Sequence, residues 1–99
     1  MSDARLTLLG AISRRMLVEA QYNGATIRLA PHLMFERHGD LFVAALNLGK
    51  TWRSDEEPRL GQFKLAGLND TRLIEEAFEP LPGYIPQPPR ESDVAVLSV

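Results

Sequence analysis

The 99-residue chain contains no cysteine, which removes disulfides, thiolate zinc sites and a thiol nucleophile from consideration. It also lacks a long apolar run. The one candidate, residues 6–12, is broken by Thr7 and Gly10 and followed by Arg14 and Arg15, where a signal peptide or a spanning helix would have to continue. Residues of this kind point to the cytoplasm and away from any membrane. Catalytic constellations are equally scarce. The two histidines, His32 and His38, stand without a Cys, Asp or Glu cluster at ligand spacing, so no metal is expected. Glu56-Glu57 and Glu75-Glu76 are sequence neighbours that project apart, which suits a solvated face and not acid–base work. No serine sits in a glycine-flanked elbow, and no glycine-rich phosphate loop precedes a helix. The chain is therefore expected to be no enzyme and to need no cofactor.

What is present fits one globular core, with 44% hydrophobic and 24% charged residues. A domain this small gains stability from oligomer contacts, so a homodimer or a partner protein is expected. The net charge of −2 is unevenly divided. Residues 1–53 carry seven Lys/Arg against four Asp/Glu, and residues 54–99 four against nine, so the halves are +3 and −5. A basic first half can draw an anionic ligand, and a mixed solvated surface gives similar counts.

Along the chain, apolar residues at three- and four-residue spacing with capping groups at Ser2, Asp3 and Thr7 predict an amphipathic helix over 3–16. Leu6, Leu9, Ile12 and Leu17, with Leu8 and Met16, carry this spacing on the apolar side, and Gly10 within the helix either costs it about 1 kcal/mol relative to alanine or marks a close backbone approach. From Leu17 the period becomes two. Strands flank Asn23-Gly24, the pair a two-residue type I′ turn prefers, and Pro31 is expected to end the second strand. A second hairpin follows, from residues 33–37 through His38-Gly39-Asp40 into 41–46, an apolar run on both parities that predicts a strand covered on both faces. Residues 48–60 read as an exposed excursion, and residues 62–66 as a fifth strand with Phe63 and Leu65 inward. Asn69-Asp70-Thr71 offers capping groups for a short helix over 71–78. The five prolines of residues 80–89 predict an extended tail with few contacts, ending in the strand-prone 94–99. That terminal strand is expected to pair with an edge, either of the chain's own sheet or of a second copy.

Taken in order, these pieces resemble the WYL domain over roughly residues 6–80. Tyr22-Asn23-Gly24 matches a "Y-x-G" piece, and Arg28-Leu29-Ala30-Pro31 matches "R-x-x-P". Residues 39–45 face "G-x-W-Y-L-x-A", and residues 63–68 face "F-R-L-x-R-I". The name-giving Trp-Tyr-Leu is Leu41-Phe42-Val43 here, and the two arginines of the last piece are Lys64 and Gly67. The resemblance implies an α+β, mainly β fold: an Sm-like five-stranded small β-barrel at 1–80, with an N-terminal helix, a short helix after the barrel and an extended tail at 81–99. It further implies a non-enzymatic sensing domain of bacterial transcription regulation, stand-alone or half of a two-protein system. Its ligand would be a nucleotide-like effector or short single-stranded nucleic acid. Carried over by position, the ligand-binding residues are Arg28, Phe42 and Lys64, to which Arg53 beside Trp52 adds a cation. The competing reading from the same residues is a degenerate barrel kept as a protein-interaction or oligomerisation module. Losing a tyrosine hydroxyl and a guanidinium removes donors, and lysine retains charge without the bidentate fork.

Overall fold

The computed structural model describes residues 3–99; the capping role expected of Ser2 lies outside the described residues. One α-helix precedes six antiparallel strands: α1 Ala4–Arg14, β1 Met16–Tyr22, β2 Ala25–Arg37, β3 Asp40–Asn47, β4 Gly61–Lys64, β5 Asn69–Ala77 and β6 Val94–Ser98. A 3₁₀ turn, Leu65–Gly67, joins β4 to β5.

The helix begins where its cap dictates. Asp3 Oδ1 accepts from the N–H groups of Arg5 at 3.0 Å and Leu6 at 3.4 Å, two of the donors a helix start leaves unpaired. It ends at Arg15, whose left-handed φ of 54° turns the chain into β1. Leu8, Ala11 and Ile12 form the buried stripe. Leu6, expected inside, is instead 62% exposed. Gly10 marks no close approach either, since a Cβ built there meets nothing within 4 Å.

Both hairpins close on two-residue turns whose central residues all have positive φ: Asn23 and Gly24 at 50° and 77°, His38 and Gly39 at 51° and 82°. That is the type I′ geometry matching the twist of the flanking strands. Between them β2 runs unbroken for 13 residues, so Pro31 does not end a strand. The reason lies in its neighbours. Pairing of β2 with β1 reaches Leu29, and pairing with β6 starts at Leu33, leaving the edge at Pro31 without a partner that needs its missing N–H. A β-bulge against β3 between Pro31 and Leu33 shifts the register there. It also exchanges the faces of the strand, so Leu29 before it and Met34 after it enter the same core cluster.

The sheet order is β4-β3-β2-β1-β5, with β6 taking the half of the β2 edge that β1 leaves. The core splits across this sheet. One cluster joins Leu8, Ala11 and Ile12 of α1 with Val18, Leu29, Met34, Val43 and Ala45; in the other, Leu33, Phe35 and Ala44 are covered by Phe42, Leu60 and Tyr84. Coverage on both faces explains the continuous burial of β2 and of Val43, Ala44 and Ala45 on β3.

Two further expectations, on residues 71–78 and on the tail, are corrected. Residues 71–78 are not a helix: Asn69–Ala77 is β5, paired with β1 across two register shifts. Asp70, with φ 50°, sits at one of these irregularities, so the residues that read as a helix cap serve a bulge instead. The competing physics is an open edge. The side of β1 away from β2 needs a partner, and β5 supplies it. The tail also has more contacts than expected, since it crosses β2 and returns as β6 in the same sheet. The sheet is open: among the described residues no pairing joins its end strands β4 and β5, so six strands stand in an open sheet where a closed five-stranded barrel was expected.

Candidate functional site

Arg28, Phe42, Arg53 and Lys64 fall in three places. Phe42 and Lys64 face each other in the β3–β4 register, where Lys64 Nζ lies 3.3 Å from Asp40 Oδ2. Phe42 is stacked on Phe35 at 5.5 Å with an interplanar angle of 9°, and the Arg37 guanidinium lies 4.9 Å from its centroid. Its ring is thus part of the core and of a cation–π contact. Arg28 stands near the other end of β3, because its neighbour Leu29 pairs with Asn47. Five residues of strand, roughly 17 Å, separate that position from Phe42. Arg53 is in the excursion, 77% exposed at the side chain, and lies 3.2 Å from Glu56 and 3.5 Å from Asp55.

Each of the three expected cations also has a carboxylate partner. Arg28 shares Glu19 with Arg72: Arg28 Nε is 3.6 Å from Oε2, and Arg72 Nη2 donates to Oε1 at 2.6 Å. These pairs are solvent-exposed on the basic side and of small energetic weight.

The end of β3 gathers a different set. Asn47 closes a tight turn: its Oδ1 accepts from Gly49 N–H at 2.9 Å and its carbonyl from Lys50 N–H at 3.2 Å. Leu48 N–H donates to the Arg28 carbonyl at 2.9 Å, tying this turn to β2. Such side-chain-to-backbone bonding holds the turn without a regular element. Two clefts meet here. One, of about 670 Å³, lies over Leu17, Ile27 and Leu48 and is rimmed by Arg28, Thr26 and Glu76. The second, of about 380 Å³, lies over Trp52, Leu60 and Phe63 and is rimmed by Arg59. Asn47 and Lys50 line both.

Lys50 Nζ stands 4.3 Å from the Trp52 ring centroid. Among the described residues, neither Lys50 nor Arg59 has a carboxylate within ion-pair distance. The arrangement can therefore offer Lys50 and Arg59 to an anion, with a planar group laid against the apolar side chains beside them. Of the four expected residues, only Arg28 lines either cleft. Lys50, Trp52 and Arg59 were missed, although Gly49-Lys50-Thr51-Trp52 places a cation two residues from the only tryptophan.

Among the described residues no group of three or more His, Cys, Asp or Glu could hold a metal ion. No described helix is long and apolar enough to cross a membrane. Comparison with family models, curated proteins and solved structures found no match to this chain.

Proposed function

We propose that this chain is a non-enzymatic sensing domain, Sm-like in the manner of WYL domains. It binds an anionic, nucleotide-like effector or a short single-stranded nucleic acid as an accessory to transcription regulation in the cytoplasm, as a homodimer or with a partner protein. The observation that carries this reading is the pair of clefts meeting at Lys50. Among the described residues, Lys50 and Arg59 stand there with no carboxylate in ion-pair reach and beside apolar side chains, a chemistry suited to phosphate and base together.

Fluorescence anisotropy with labelled oligonucleotides and nucleotides, titrated at several salt concentrations, tests it. Affinity is expected to fall steeply with salt, because each phosphate contact releases counterions. Lys50→Ala and Arg59→Ala should each lower the salt slope by about one. Lys64→Ala, whose charge faces Asp40, should leave it unchanged. The alternative, an interaction or oligomerisation module without a small ligand, is favoured by one observation: the three cations expected to bind are each matched by a carboxylate of the same chain. No binding to any probe at low salt would select it.

A further inference from the structure

The start of the stretch between β5 and β6 is hydrogen-bonded to β2 at His32, whose relative exposure is 0%. The two ring nitrogens face opposite kinds of group. Nδ1 lies 2.8 Å from the Ala30 carbonyl oxygen, which can only accept, so Nδ1 carries the proton. Nε2 accepts from the Leu81 N–H at 3.0 Å. Both bonds coexist only in the neutral Nδ1–H form.

Around the ring, the Phe78 and Tyr84 rings pack at centroid distances of 5.2 and 5.1 Å. The Tyr84 hydroxyl donates to the His32 carbonyl at 3.2 Å and is hydrogen-bonded with Ser98 Oγ at 2.7 Å. Val99 N–H donates to the same carbonyl at 2.9 Å. One residue of β2 therefore holds both the start of the tail and the far end of β6.

We propose that His32 is a proton-operated latch: protonation of Nε2 frees residues 81–84 and the Ser98 end of β6, and uncovers the β2 edge at Leu33 and Met34.

The added proton turns the Leu81 contact into N–H against N–H and leaves a buried donor without an acceptor. It also puts a charge between two aromatic rings. On the tail, Tyr84 presents its hydroxyl to the His32 carbonyl and Glu79 is exposed. Arg14 and Arg15, by the end of α1, are exposed. β6 brings the Ser98 hydroxyl and the Val99 N–H. On β2 itself, Arg37 is engaged with Asp93 at the opposite end of β6. Burial holds the His32 pKa below its ordinary 6.5, against a smaller upward pull from the Ala30 carbonyl. A depressed histidine stabilises the docked tail fully above the undocked value. That contribution declines as pH falls from about 6.5 toward the docked value. The Arg37–Asp93 pair stays charged throughout this range, so release starts at the Ser98 end and not at Val94.

Amide hydrogen exchange on the ¹⁵N-labelled full chain at pH 7.5 and pH 5.0, corrected for the chemical exchange rate, reads the latch directly. Leu81, Leu97, Ser98 and Val99 are expected to lose at least about tenfold in protection, while Ala20 and Ile27 in the first hairpin keep theirs. In His32→Gln, whose side-chain oxygen can accept from Leu81 but cannot titrate, the response should vanish; in His38→Asn, a turn control, it should persist. Equal protection of tail and hairpin at both pH values overturns the proposal, as does a response that survives His32→Gln. Should that variant not fold, ¹⁵N titration of the wild-type imidazole decides: Nε2 protonation and the Leu81 amide shift must share one midpoint, and different midpoints overturn the latch.

Discussion

Single residues show where local chemistry governs. Gly24 has φ +77° and open space around it, so the strain of a side chain there is purely conformational. Gly24→Val is expected to cost about 1–2 kcal/mol or more, read as a lowered midpoint in urea, since a β-branched residue resists the left-handed region. Thr71 presents the opposite case. It is 3% exposed, and its hydroxyl has no hydrogen-bond partner. An orphaned buried hydroxyl is destabilising, so Thr71→Val should raise stability by about 1 kcal/mol. A lower denaturation midpoint in that variant would mean that the hydroxyl is satisfied. Asn23, His38 and Asp70 all take positive φ, yet only Asn23 announced it through a familiar pair with glycine at the expected turn.

At the scale of elements, α1 and β6 are attached to a β1–β4 meander that β5 extends at its β1 edge. Gly10 lies inside α1 with free space where a Cβ would go. Gly10→Ala is therefore expected to stabilise the chain by about 1 kcal/mol, the helix-propensity difference, with no packing penalty; thermal unfolding checks it. β6 is fastened at its start by Arg37, which donates from Nε and Nη2 to the two Asp93 oxygens at 2.8 Å each. The hydrogen bond from Arg37 is the main reason that the Asp93 carboxyl is held below its usual 3.8, against an upward pull from desolvation. A depressed carboxylate stabilises the folded chain above about pH 3.8, and that contribution is lost as pH falls through the lower folded value. Asp93→Asn should flatten the melting-temperature profile in that acid window and loosen β6 at neutral pH. A profile that keeps its acid limb in the variant would assign the limb to other carboxylates. The bidentate geometry and the Phe35 and Phe42 rings beneath Arg37 make this a specific clamp, unlike the exposed pairs at Arg28 and Arg53.

For the whole molecule, the tail completes the sheet: β6 covers the β2 edge between Leu33 and Glu36. Truncation after Leu81 removes that cover and the Tyr84 ring from the second core cluster. It is expected to lower the melting temperature and to promote association through the bared edge, seen by light scattering. Unchanged values would show that the tail adds nothing to the fold. The residues alone determined the mainly β class, both hairpins, the N-terminal helix and the strand character of the terminus, because these follow from two-residue periodicity, turn chemistry and capping within a few positions. Rules that look only at neighbours failed where a distant partner overruled them. Pro31 lies inside a strand because the edge there is vacant, and residues 69–77 are a strand because β1 has an open side. The candidate site divides in the same way. Arg28 was legible from its strand, whereas Lys50 and Arg59, nine positions apart in an irregular excursion, meet at adjoining clefts only once that excursion folds back on Asn47. Convergence of side chains across a loop is set by packing and backbone hydrogen bonds between remote segments, and no local spacing encodes it.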